Sequence, residues 1–160
     1  SAASDVYKRQ AKDRDVRVLP TKTIPQGISA MLMFDETASA DENQMTMLSA
    51  AENVETAQVT FAARDSEVDG KPIKQGEIMG LCNGKIKYIG DDITDIAVKA
   101  AHKLFKKGEH SLITIIYGEG ASEDDAEAVE KALYEKYGSD VEISIVNGGQ
   151  PIYYFIISVE

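Results

Sequence analysis

The stretch SLITIIYG at 111–118 constrains the fold more than any other part of the chain. Its apolar, β-branched run offers water no polar face, so it predicts a strand covered on both sides rather than one with an exposed alternate row. It is also far shorter than the ~20 residues a bilayer-spanning helix needs. Such a strand demands helices or further strands against it, and the sequence supplies them directly. Ser122, followed three positions on by Asp125, predicts a capping box that opens a helix over 123–137, with Ala126, Val129, Leu133 and Tyr137 inward and Gly138 as its stop. DVEISIV (140–146) then alternates as a strand does, NGGQP (147–151) reads as a loop, and IYYFIISV (152–159) as a final buried strand. The segment 108–160 thus predicts a β-α-β unit plus a closing strand. Its two strands 111–117 and 140–146, if parallel neighbours, are joined by a right-handed crossover.

Upstream, VRVLP (16–20) predicts a short strand stopped by Pro20. TKTIPQG places Pro25 in the first turn of a helix that continues through ISAMLMF (28–34), apolar enough to be expected buried on most sides. SADENQMTMLSAAENV (39–54) predicts a second helix capped by Ser39 or Asp41, with Met45, Leu48 and Ala51 at helical spacing. ETAQVTFAARD (55–65) changes period to two, which predicts a half-buried strand with Ala57, Val59, Phe61 and Ala63 inward. Asp69-Gly70 and Asn83-Gly84 are hairpin signals, the second predicting 77–82 and 85–89 as an antiparallel pair. In 91–108, Ile93, Ile96, Ala97, Ala100, Ala101, Leu104 and Phe105 form one helical stripe, with Asp91 or Asp92 as cap, Lys106 and Lys107 at the C-terminal dipole and Gly108 as a left-handed stop. The expected class is α/β (α+β): a mixed sheet with packed helices.

The opening SAASDVYKRQ has neither periodicity nor cap, and suitable codons for it spell the end of a transposon adapter used in sequencing libraries. Residues 1–10 are therefore expected to be a non-native tail, 11–160 a single α/β domain, and further natural sequence to precede it. With 43% hydrophobic and 28% charged residues the composition is that of an ordinary globular chain. A net charge of −10 repels phosphate backbones and anionic headgroups, so neither nucleic acid nor membrane insertion is expected. The single Cys82 rules out an internal disulfide and suits a reducing cytoplasm.

Catalytic chemistry is hard to find. GEGASEDD (118–125) has two glycines between strand and helix but lacks the Lys-Ser/Thr of a P-loop, and its acidic run reads as a helix N-terminus. His102 and His110 lack metal-ligand spacing, Cys82 has no obvious activating base, and Asp91, Asp92 and Asp95 sit where a helix start favours negative charge. Two loops remain, PTKTIPQG (20–27) and NGGQPIYY (147–154), which gather hydroxyls, amides, glycines, a lysine and tyrosines at element junctions. Recognition sites are built this way, and so are ordinary turns.

VLPTKTIPQGISAMLMFD, QVTFAARDSEVDGKPIKQGEIMGLCNGKI, and IIYGEGASEDDAE followed by VNGGQPIYYFIISVE resemble the C-terminal region of the ATP-binding subunit of bacterial fatty-acid kinase, from a family related to dihydroxyacetone kinases. The resemblance covers 16–160. It implies a cytoplasmic, non-catalytic fragment whose ATP and Mg²⁺ belong to an N-terminal domain, with no cofactor in the fragment itself, and which docks an acyl-binding partner protein; it also allows a homodimer through the parent chain. Combined with the loop chemistry, it makes Thr21, Lys22, Thr23 and Gln26, and Asn147, Gly149, Gln150 and Tyr153, the expected partner contacts. The rival expectation is a module that itself binds a fatty acyl chain in a cleft near 147–154.

Overall fold

The computed structural model describes residues 13–160, so the expected tail at 1–10 lies outside the described residues. The chain divides into two compact units, one ending at Val54 and the other running Glu55–Glu160.

The first unit contains α1 (Ile24–Leu32) and α2 (Ala40–Glu52). Thr23 caps α1, its side chain accepting from Gln26 N, while Ser39 and Glu42 form a reciprocal capping box at α2. Buried Asn43 fastens the turn between the helices: its amide donates to Asp35 O at 2.7 Å and accepts from Asp35 N at 2.8 Å. Arg17 pairs with Asp15 and Asp41 and donates to Gln44 Oε1 at 3.0 Å, tethering the irregular leader to α2. These pairs are exposed and add little stability.

The second unit is a six-stranded mixed sheet carrying two helices. In chain order it contains β1 (Glu55–Phe61), β2 (Ser66–Val68), β3 (Lys71–Ile73), β4 (Ile78–Cys82), β5 (Lys85–Gly90), α3 (Ile93–Leu104), β6 (Leu112–Tyr117), α4 (Glu123–Tyr137), β7 (Glu142–Asn147) and β8 (Phe155–Val159). The sheet order is β5-β4-β1-β8-β6-β7, with β2 and β3 as a separate hairpin. Of the pairs in this sheet only β6–β7 is parallel, as expected for strands flanking α4. Both X-Gly turns form: Asp69 and Gly70 have φ of 52° and 76°, Asn83 and Gly84 of 50° and 78°, the twist that matches paired strands.

The core joins Ala57, Val59, Ile113, Ile115, Phe155, Ile157 and Val159 of the sheet to Ile96, Ala97, Ala100, Ala101 and Leu104 of α3 and Ala126, Val129 and Leu133 of α4. Each large side chain so buried contributes about 1.5–3 kcal/mol. The alanines let α3 lie close on the sheet, and Gly80 is part of that fit: a side-chain carbon there would sit 2.7 Å from Ile96 Cγ2.

Several expectations need correction. VRVLP (16–20) forms no strand; Arg17 is held by side-chain ion pairs, and no strand among the described residues pairs with the segment. α1 is not buried on most sides: Pro25 and Ala30 are buried, while Ile24, Ile28, Met31 and Leu32 are exposed, because one packed neighbour, α2, covers only one side of a helix. In α2 the buried residues are Asn43 and Ala51, and Met45 is exposed. β1 is not half-buried, since Thr56 and Thr60 are withdrawn from water along with Ala57 and Val59 in a strand flanked by β4 and β8, while Phe61 at its end is exposed. α3 ends at Leu104, where Phe105 turns extended to reach the core, so Gly108 (φ 85°) belongs to the following turn. The last strand starts at Phe155, because 152–154 is spent on a tight loop.

Candidate functional site

The antiparallel registers set one edge of the sheet. Val59 and Tyr117 both face Phe155, and Tyr117 faces Asn147 on the other side, so the carboxyl ends of β1, β6 and β7 meet the start of β8. In layered α/β folds this is the edge where ligands and partners are bound. Its loops are 118–122 and 148–154, the GEG and GGQP segments of the sequence.

These loops are stitched into one body. Gly118 N donates to Tyr154 O at 3.0 Å, Glu119 N to Gln150 O at 3.1 Å, Gly148 N to Tyr117 O at 2.9 Å and Tyr154 N to Val59 O at 2.8 Å. Thr60 Oγ1 donates to Ile152 O at 2.8 Å. The Gln150 amide reaches Ile116 O at 3.1 Å and Tyr153 O at 3.4 Å, so this side chain braces the loop from within. Glycine is required where the chains cross: a side-chain carbon on Gly118 would collide with the carbonyl oxygens of Tyr153 and Gln150. Above Gly120 lies the Tyr154 ring, which meets Phe61 edge-on with centroids 6.2 Å apart.

The loop projects Ile152. Its φ of 74° is an outlier for a β-branched residue, and it is 65% exposed. A strained, apolar, outward residue persists only where its surroundings over-determine it, which is the pattern of recognition and active sites. Of the expected contacts in this loop, Asn147 and Gly149 are exposed, Tyr153 is half-buried beside them, and Gln150 is the internal brace. The sequence reasoning missed Ile152, Gly118 and Gly148. Their signal was present as glycine density in both loops, but GEGASEDD was assigned wholly to the start of α4, and Ser122 and Asp125 do form its capping box.

The other expected contacts lie in the first unit. Thr23 is the α1 cap, and the Gln26 side-chain carbonyl turns back to accept from Lys22 N at 2.8 Å. Thr21, Lys22 and Gln26 line a groove of about 210 Å³ with Pro20, Leu48, Ala51 and Glu52, below the ~300 Å³ at which small-molecule pockets begin. The Lys22 side chain is exposed beside it.

The reactive side chains serve the fold. Cys82 is buried with its thiol toward Ala100 O at 3.6 Å, and burial pushes its pKa up, away from the reactive thiolate. His102 Nδ1 is hydrogen-bonded to the Tyr137 hydroxyl, and burial, followed by Lys136, holds its pKa below the ordinary histidine value. Asp92 caps α3 and Asp95 pairs with Lys99 at 2.7 Å. Among the described residues no three His, Cys, Asp or Glu side chains cluster as a metal site, and no helix is long and apolar enough to cross a membrane.

A mixed-sheet domain whose ordered loops crowd one edge, with its reactive side chains committed to packing and caps, has the α/β fold shared by DegV proteins and dihydroxyacetone kinases. A DegV family protein from Ruminococcus gnavus, described with vaccenic acid, superposes with a TM-score of 0.59 at 16% identity, over 98% of this chain and 64% of that one. The dihydroxyacetone kinase from C. freundii, solved with AMP-PNP and Mg²⁺, gives 0.56 at 11% identity over 99% and 35%. The FakA-like C-terminal family, the C-terminal region of fatty acid kinase subunits, matches residues 1–160, and the chain belongs to that family. Protein YloV of Bacillus subtilis is 42% identical over 148 residues, covering 92% of this chain and 26% of YloV. The chain spans about a quarter of the length of the curated relatives it matches.

Proposed function

We propose that this chain is the partner-docking region of a fatty-acid kinase subunit. It holds an acyl-loaded binding protein in place while ATP-dependent acyl-phosphate formation proceeds on another domain, which carries the ATP and Mg²⁺. It adds no reacting group; positioning alone supplies much of such a rate. The observation that carries this reading is the stitched loop 147–154, which presents Ile152 beside Asn147, Gly149 and Tyr153 on a preformed frame. A loop already ordered loses little entropy on binding, so its contacts convert efficiently into affinity. Gln150 acts by bracing that frame. Thr21 and Lys22, on the turn set by Thr23 and Gln26, form the second contact.

A second reading, an acyl-binding module, is favoured by the likeness to a DegV protein described with vaccenic acid. The crowding of Gly118 and Gly148 against the 150–153 backbone opposes it, because the space near 147–154 is filled by the loop itself. Isothermal titration of the chain against an acyl-loaded partner and, separately, against free fatty acid distinguishes the two. Heat with the partner alone, weakened about tenfold or more by Tyr153→Ala, supports docking. Heat with free fatty acid alone supports the module, and silence with both contradicts docking by this chain.

A further inference from the structure

We propose that the outward stripe of α1 is a self-association face on which a second copy of this chain packs antiparallel.

A surface helix ordinarily turns its apolar stripe inward. α1 does the reverse. Ile24, Ile28 and Met31 recur at i, i+4 and i+7, with Leu32 beside them, and are 57%, 45%, 73% and 79% exposed, while Pro25 and Ala30 take the buried side. Met33 and Phe34 extend the patch at 48% and 60% exposure. Together these six residues expose on the order of 700 Å², against about 800 Å² per partner in a standard stable interface. A patch of that size on a protein surface marks an interaction site, and methionine and leucine are suited to meshing with a like surface.

Charge selects the occupant. From Thr23 to Phe34 the sequence holds no charged residue; Lys22 stands at one end of this stretch, Asp35 and Glu36 at the other. An isologous antiparallel pair places Lys22 of one protomer opposite the Asp35–Glu36 end of its partner, twice, by symmetry. A parallel pair stacks like charges. An anionic lipid surface is repelled by Asp35, Glu36 and a chain of net charge −10. α1 spans only ~13 Å at 1.5 Å per residue, so both charged ends fall within one contact.

This association does not depend on the docking reading, and its test uses no acyl-binding partner. Sedimentation equilibrium of the 160-residue chain from low to high micromolar is expected to give a concentration-dependent dimer. Leu32→Glu, or Met31→Glu if that variant folds poorly by circular dichroism, weakens it at least tenfold. Lys22→Glu weakens it, and Lys22→Glu combined with Glu36→Lys restores it. A chain that is monomeric at every concentration overturns the proposal, as does a dimer that survives both glutamate variants, or a monomer whose stripe instead binds vesicles of zwitterionic lipid.

Discussion

Residues 55–160 and residues 24–34 treat the same side chains in opposite ways. In the sheet unit, isoleucines such as Ile113, Ile115 and Ile157 are wholly buried, whereas in α1 Ile24 and Ile28 face water. Neighbours make the difference. A six-stranded sheet and two long helices present enough surface to enclose one another, while two short helices cover only the sides they share. An apolar segment therefore signals burial, and the partner that buries it need not be part of the same unit.

The largest expected contrast tests this directly. Leu133→Ala or Ile157→Ala is expected to cost about 2–5 kcal/mol in urea unfolding, while Leu32→Ala, at concentrations where the chain is monomeric, changes stability by less than about 0.5 kcal/mol. Equal losses would erase the distinction between the two regions. Next comes Gly118→Ala, which forces the 118–120 and 150–153 crossing apart: a loss of about 1–3 kcal/mol is expected, with weaker partner binding, read from the same unfolding curves and a titration. Ser122→Ala removes one half of a capping box at α4 and is expected to cost about 1 kcal/mol.

Chemical probes sharpen the sheet side further. Cys82, buried and with its pKa raised by burial, is expected to react with a thiol reagent at pH 8 far more slowly in the folded chain than in urea. The smallest effect concerns His102. Its folded pKa lies below the unfolded value of about 6.5, so the unfolded state takes up the proton first as pH falls. Stability present above that pH is lost as pH drops toward the folded value, giving a slight fall in Tm between pH 7 and 5 that His102→Gln removes.

Much of the sheet unit was legible because its signals are local. Asn83-Gly84 fixed a hairpin, Ser122 with Asp125 fixed a helix start, and the inward stripe from Ile96 to Leu104 matched a 3.6-residue period. The failures lie where position depends on distant residues. VRVLP has strand composition but no ladder to join, and Thr56 is buried because of its strand's place in the sheet. The candidate edge was half legible: NGGQPIYY stood out as a loop rich in recognition chemistry. What no local pattern could disclose was its crossing with GEG, which makes Gly118 indispensable and turns Gln150 inward. Ile152 was hidden most completely, since a β-branched residue in an apolar run reads as strand until its φ is known.

Hydrogen exchange of the chain with and without an acyl-loaded partner tests the central claim most directly, because it reads every backbone amide at once. The account predicts that partner binding slows exchange at 118–121 and 148–154, the loops that crowd the sheet's carboxyl edge, and leaves the β4–β5 turn at Asn83 unchanged. Binding that leaves 118–121 and 148–154 unaltered would contradict it.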